Sequence, residues 1–145
     1  EGTNEIQAID LLLRKVLGDG GEALQALLAH VLEEAGLASD AEGMRWAQQL
    51  RVASDGLQAW VGGLVEHDDQ EYAYRAAGDF LQALAMLLLG HAWARSARLA
   101  LVHADQPFYR RKRQTAAYFF DHLWLRFAYR LQRLHAAQLP LPFVG

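Results

Sequence analysis

The segment that decides the fold reads Phe80-Leu81-Gln82-Ala83-Leu84-Ala85-Met86-Leu87-Leu88-Leu89-Gly90-His91-Ala92-Trp93-Ala94. Its large apolar residues cover most of the circumference of a helix, so it predicts the central, buried helix of a helical protein. Gln82 and His91 interrupt the run, which also falls short of the roughly 18 apolar residues that indicate a membrane span. We therefore expect a buried helix and no membrane span.

Amphipathic helices are predicted on both sides of this central segment. Apolar residues recur at spacings of three and four, and glycine or proline separates the successive stretches. No stretch alternates with period two for long enough to predict a strand. The sequence therefore predicts an all-α fold, an antiparallel bundle of about five helices, over residues 4–17, 22–36, 39–64, 68–103 and 105–137.

Helix starts are indicated by the capping box, in which a side-chain acceptor precedes a glutamate by three residues. Three pairs have this spacing, and we expect them to open the second, third and fourth helices: Asp19 with Glu22, Ser39 with Glu42, and Asp68 with Glu71. Asp105 and Pro107 mark the start of the fifth helix.

The first helix is predicted to bury one apolar face, formed by Ile6, Ile9, Leu13 and Val16. Three further leucines lie off this stripe: Leu11, Leu12 and Leu17. We expect them to form an exposed apolar face through which the isolated chain makes a homo-oligomer.

Composition excludes several classes of protein. With 52% hydrophobic residues among 145, the chain can bury a core, which is not typical of a disordered segment. The absence of cysteine excludes disulfides, thiolate metal sites and a cysteine nucleophile. The first residues show no basic stretch followed by an apolar run, so no signal peptide is indicated. These features fit a cytoplasmic protein.

Charge is distributed unevenly along the chain. Residues 1–72 carry 14 acidic and 4 basic side chains, a formal charge of −10, whereas residues 73–145 carry 3 acidic and 10 basic ones, a formal charge of +7. We interpret this as acidic helices packing beside basic ones. The run Arg110-Arg111-Lys112-Arg113 leaves nucleic-acid binding as an alternative, but its side chains point in different directions around a helix. We expect no nucleic-acid partner.

The histidines and glutamates do not have the spacing of a metal site. No glutamate is followed by histidine three positions later, which is the pair that holds two metal ions in helical bundles. The six histidines are scattered over separate helices, so we predict no metal. His91 lies on the apolar face of the central helix and is interpreted as a hydrogen-bonded core histidine. Tyr72 and Tyr74 are interpreted as packing residues, not as a stacking platform for bases.

The N-terminal residues carry a specific motif, Glu1-Gly2-Thr3-Asn4-Glu5-Ile6-Gln7-Ala8. This segment resembles the Glu-Gly-Thr-Asn-x-Ile-Gln-Ala segment of the acyl-CoA dehydrogenase family, which leads into the last helix of that family's catalytic core. Later segments are similar to the helical domain appended to larger members, such as those like 3-methylmercaptopropionyl-CoA dehydrogenase: Leu88-Leu89-Gly90-His91-Ala92-Trp93-Ala94-Arg95 and Phe108-Tyr109-Arg110-Arg111-Lys112.

The resemblance implies a division of the chain and a function for the parent protein. Residues 1–17 would be the terminal helix of the dehydrogenase core, and residues 18–145 the appended helical domain. The parent would use FAD to dehydrogenate an acyl-CoA thioester between its α and β carbons. The rest of the dehydrogenase core would be the partner of this chain, which we expect to hold no cofactor and to be inactive alone.

Two residues of the motif take roles by this resemblance. Glu1 corresponds to the family's catalytic base, which removes the α-proton, and Thr3 corresponds to a residue that touches the flavin. Glu5 stands where the family often has glutamine. The alternative hypothesis is a free-standing helical module that binds a protein or a ligand.

Overall fold

The computed structural model describes residues 2–137, and these residues are almost entirely helical. The α-helices are Gly2–Ile9 (α1), Glu22–Ala35 (α2), Ala41–His67 (α3), Gln70–Ala100 (α4), Pro107–Tyr118 (α5) and Leu125–Ala136 (α6). A π-helical segment, Asp10–Val16, extends α1, and a second, Phe119–Leu123, joins α5 to α6. Short 3₁₀ turns cover Leu17–Asp19 and Leu101–His103. Between residues 2 and 137 no strand forms. When α1 is counted together with its π-helical extension, and α5 together with the second π-helical segment and α6, five long helices result, which confirms the predicted all-α bundle.

Helix α4 lies at the centre of the bundle and packs against the other five helices. Phe80 and Leu87 on α4 are completely buried, and the rings of Phe80 and Trp60 stack with centroids 5.6 Å apart. The prediction of a central helix is therefore confirmed. None of the helices within residues 2–137 is both long enough and apolar enough to span a membrane.

Helices α5 and α6 together run antiparallel to α4. Near the start of α4, the Tyr72 hydroxyl donates to the carbonyl oxygen of Leu134, close to the end of α6 (2.8 Å). Near the end of α4, the carbonyl oxygen of Ala97 accepts from Arg113 of α5 (3.3 Å). Helices α2 and α3 pack against each other, and both also pack against α4.

The first helix buries only part of the predicted face: Val16 is buried, and Ile9 and Leu13 pack partly buried against the core. Ile6, predicted to lie in the core, is 69% exposed, whereas Leu12, predicted to be exposed, is completely buried. Leu11 and Leu17 pack partly buried against the core. The predicted exposed face of leucines is therefore wrong.

The π-helical segment Asp10–Val16 explains this difference. Its backbone bonds join residues five apart, as between the Leu17 N–H and the Leu12 carbonyl oxygen, so each turn holds more residues than an α-helix turn. Positions four apart then stay on one face, and the buried residues of α1 and its π-helical extension are Ala8, Leu12 and Val16. A spacing calculated for 3.6 residues per turn therefore includes Val16 but misses Leu12.

One predicted helix cap is confirmed, and another is displaced by one residue. The Asp19 carboxylate accepts hydrogen bonds from the backbone N–H of Glu22 (3.1 Å) and Ala23 (2.9 Å) at the start of α2. At the start of α4 the acceptor is Asp69, not Asp68. Asp68 instead ends α3 in the left-handed conformation, with φ of 46°.

The start of α3 also differs from the prediction. Asp40, not Ser39, directly precedes the helix, and no side-chain hydrogen bond caps this end. The Asp40 carboxylate instead accepts from Arg113 of α5, 2.8 Å away. The cap predicted at Ser39 is therefore not confirmed.

Ion pairs join the acidic and basic halves of the chain. They include Arg113 with Asp40 (2.8 Å), Arg98 with Glu34 (3.2 Å) and Arg45 with Asp121 (3.3 Å). This agrees with the interpretation that acidic helices pack beside basic ones. The exposed pairs stabilise the fold weakly, by about 0–1 kcal/mol each.

Candidate functional site

The N-terminal motif lies on an exposed surface. Glu1, the candidate base, is outside the described residues. Thr3, the candidate flavin contact, is exposed in the first turn of α1, as are its neighbours through Gln7. Ile6 adds an apolar side chain to this surface. A single exposed apolar side chain is normal on a protein surface and does not by itself mark a docking surface.

A cleft lies near the C-terminal end of α4, between α2, α3, α4 and α5. Its volume is about 400 Å³, which includes its open mouth. Charged side chains and one indole line it: Glu34, Asp40, Trp46, Arg95, Arg98 and Arg113.

Both carboxylates of the cleft are held by arginines. Glu34 accepts from Arg98 at 3.2 Å and lies 3.4 Å from the Nε of Arg95. Burial acts to raise the pKa of Asp40, but the hydrogen bond and the positive charge of Arg113 outweigh it and lower that pKa below its ordinary value. The cleft thus keeps Asp40 ionised.

His91 lies on the wall of this cleft and not in the core. Its side chain is half-buried, and its ring meets the ring of His30 edge-on, with centroids 5.9 Å apart. Burial lowers the pKa of His91, and nearby His30 and Arg95 lower it further, whereas Glu34 acts to raise it. The prediction that His91 lies in the core is therefore wrong, because the ring lines the cleft. Sequence spacing gave no sign of the pair, because the two histidines belong to different helices.

The basic run of α5 divides among separate contacts. Arg110 donates to the carbonyl oxygen of Asp105 (3.0 Å), and the Lys112 ammonium lies 5.4 Å from the ring centroid of Phe108. Arg113 turns inward to Asp40. The prediction that these side chains point in different directions is confirmed.

The residues from 2 to 137 form neither a metal site nor a paired-tyrosine stacking platform. Within residues 2–137, no group of three or more histidine, aspartate or glutamate side chains has the arrangement of a metal site. Tyr72 is buried, whereas Tyr74 is 51% exposed, so the two do not form a common stacking platform. The packing interpretation is confirmed for Tyr72 alone.

Comparison with known proteins identifies the family. Residues 7–141 match the family described as Acetyl-CoA dehydrogenase C-terminal like. No curated protein and no solved structure gave a significant match. The matched region contains every helix from α2 to α6 and most of α1 with its π-helical extension. The chain therefore belongs to the Acetyl-CoA dehydrogenase C-terminal-like family.

Proposed function

We propose that this chain is the C-terminal helical module of an FAD-dependent acyl-CoA dehydrogenase and is not catalytic alone. The family match over residues 7–141 carries this proposal. The motif that begins at Glu1 lies at the start of the matched region and overlaps it at Gln7 and Ala8. In the parent, the reaction would be α,β-dehydrogenation of an acyl-CoA thioester.

Helix α1 and its π-helical extension would connect the dehydrogenase core to the module. Residues 1–17 form the terminal helix of the core in this proposal, and residues 18–145 form the appended domain. Leu12 and Val16 anchor the rod in the bundle by burial, whereas Ile6 remains 69% exposed. One end of the rod is thus fixed in the module, and the other presents a surface that the core would cover.

Glu1 would act as the catalytic base of the parent. Its carboxylate would remove the α-proton of the thioester, and FAD supplies the acceptor for the hydride that leaves the β-carbon. Such a base works best when it is desolvated, so that its pKa rises toward the working pH. The dehydrogenase core would provide that closed environment. Thr3 would contact the flavin, and its exposed side chain is accessible for such a contact.

The full-length gene product with Glu1→Gln tests this proposal. We expect the variant to bind as much flavin as the wild type but to lose reduction of the flavin by an acyl-CoA, because an amide cannot take the α-proton. Glu5→Gln is the matched control, since it changes a neighbouring exposed carboxylate and should keep activity. Unchanged activity in the Glu1 variant would contradict the assigned role.

A further inference from the structure

The outward face of α4 is uncharged over about five helical turns. Between residues 76 and 94 the exposed residues of this helix are Gly78, Gln82, Ala85, Leu89 and Ala92. Their spacing of three and four places them on one side of the helix, where successive residues are neighbours. The side chains of Met86 and Trp93 border them and are partly buried. We call the following set the uncharged face of α4: Gln82, Ala85, Met86, Leu89, Ala92 and Trp93.

The outward face of α3, the other long helix, has a different composition. Its exposed residues include Arg45, Gln48, Arg51, Asp55 and Gln58, which also follow one another at spacings of three and four. Polar and charged side chains at every turn are typical of a helix face in contact with water. A helix that is apolar all round is typical of a buried element, yet Leu89 of α4 is 50% exposed. The uncharged face of α4 is thus a contiguous, largely apolar patch and not a single exposed side chain.

Positively charged side chains border this face. Arg126 of α6 lines a groove together with Gln82 and Met86, and the Lys112 ammonium of α5 lies 5.8 Å from the ring centroid of Trp93. An uncharged centre with a charged rim is the arrangement of protein–protein interfaces, whose centres also favour methionine and aromatic residues. The uncharged face of α4 therefore has the composition of a protein docking surface.

Helix α1 lies beside the beginning of this face. Glu5 lines a hollow together with Gln82, whereas Leu13, in the π-helical extension, lines another together with Ala73. Helix α1 with its extension therefore runs antiparallel to α4, and its first residues lie near Gln82. Polypeptide that precedes α1 would meet α4 at this level, and the uncharged face continues from there for about 16 Å to Trp93.

We propose that the uncharged face of α4 is the surface on which the dehydrogenase core packs in the parent protein. The inference rests on the proposed function, because that function supplies the polypeptide that precedes residue 1. The face lies next to the exposed residues of the motif, so one surface of the core would cover both. A charged side chain at the centre of such a contact loses water without gaining a partner, which accounts for the absence of charge around Leu89.

Thiol labelling of the full-length gene product tests the proposal. The chain contains no cysteine, so an introduced thiol marks one position within it. Ala92→Cys places the thiol on the uncharged face, and Ala128→Cys, an exposed change on α6, is the matched control. Mass spectrometry of the peptide that carries each thiol measures its rate of reaction with a maleimide. We expect the Ala92→Cys thiol to react at least about tenfold more slowly than the control thiol, because the reaction requires exposure.

Unfolding the full-length protein in urea should make the two rates equal, which shows that the difference comes from the fold. Similar rates in the folded protein would overturn the proposal. Slow reaction at Ala92→Cys that becomes fast on dilution would identify a second copy as the occupant and would also overturn it. The flavin content of the same preparation reports on the proposed function separately. A flavin-containing protein with two fast thiols rejects the docking surface alone, whereas a colourless product of 16.2 kDa rejects both.

Discussion

The indole N–H of Trp60 donates a hydrogen bond to the hydroxyl of Tyr72, and both side chains are buried. The same hydroxyl donates to the carbonyl oxygen of Leu134, 2.8 Å away. A single oxygen atom therefore joins α3, α4 and α6. Because these bonds lie away from water, their loss leaves buried polar groups without partners.

Tyr72→Phe should destabilise the protein by about 1–3 kcal/mol, since it leaves the Trp60 N–H unsatisfied in the core. Urea unfolding followed by circular dichroism measures this change in the free energy of unfolding. Tyr74→Phe is the control, because Tyr74 is 51% exposed and its variant should match the wild type. Equal stability of the two variants would show that the shared hydroxyl contributes little.

Alanine substitutions at Gly90 and Gly78, both on α4, should change the stability of the protein in opposite directions. A Cβ atom at Gly90 would lie 2.6 Å from Cζ3 of Trp124, whereas one at Gly78 meets nothing within 4 Å. Gly90→Ala should cost about 1–3 kcal/mol by overpacking, and Gly78→Ala should stabilise the protein by about 0.5–1 kcal/mol. Thermal unfolding of both variants checks this, and a stabilised Gly90 variant would contradict the close packing of α4 against Trp124.

Arg113→Gln should reduce stability most at neutral pH. Because the folded pKa of Asp40 is lowered, its contribution is fully present above the ordinary aspartate pKa of about 3.9 and is lost as the pH falls through the folded value. We expect the variant to be less stable by about 1 kcal/mol at pH 7, with the difference shrinking below about pH 4.

Urea unfolding across this pH range measures the difference between the wild type and the Arg113 variant. Arg111→Gln is the matched control on the same helix, because Arg111 is exposed. A difference that stays constant from pH 7 to about pH 3 would rule out the ionised Asp40 as the cause.

His91→Gln should make stability less dependent on pH. The folded pKa of His91 is lowered, so the unfolded chain takes up a proton first as the pH falls through about 6.5. The wild type should therefore lose stability between about pH 7 and 5, and the variant should lose less. His122→Gln, an exposed change, should keep the wild-type profile. Urea midpoints at both pH values decide between these outcomes.

The helices were largely predictable because each depends on the local spacing of apolar residues. The run around Phe80 predicted the central helix, and Asp19 predicted a true cap. Errors arose where distant residues or backbone geometry decide the outcome. Asp40, not Ser39, directly precedes α3, and the π-helical turn places Leu12 in the core.

The cleft could not be predicted in the same way. His30 and His91 come from different helices, and their contact depends on how α2 packs against α4. Trp46 has the spacing of a core residue, and it is buried as expected. No local pattern shows that its N–H has no acceptor among residues 2–137, because this depends on all the helices around it.

The central claim is that this chain is the terminal module of a flavin-dependent dehydrogenase. The most direct test is the mass and flavin content of the native gene product, captured from source cells with an antibody to this chain. We predict a yellow polypeptide several times larger than 16.2 kDa, whose flavin is reduced by an acyl-CoA. A colourless protein of this size alone would contradict the claim and favour a free-standing interaction or ligand-binding module.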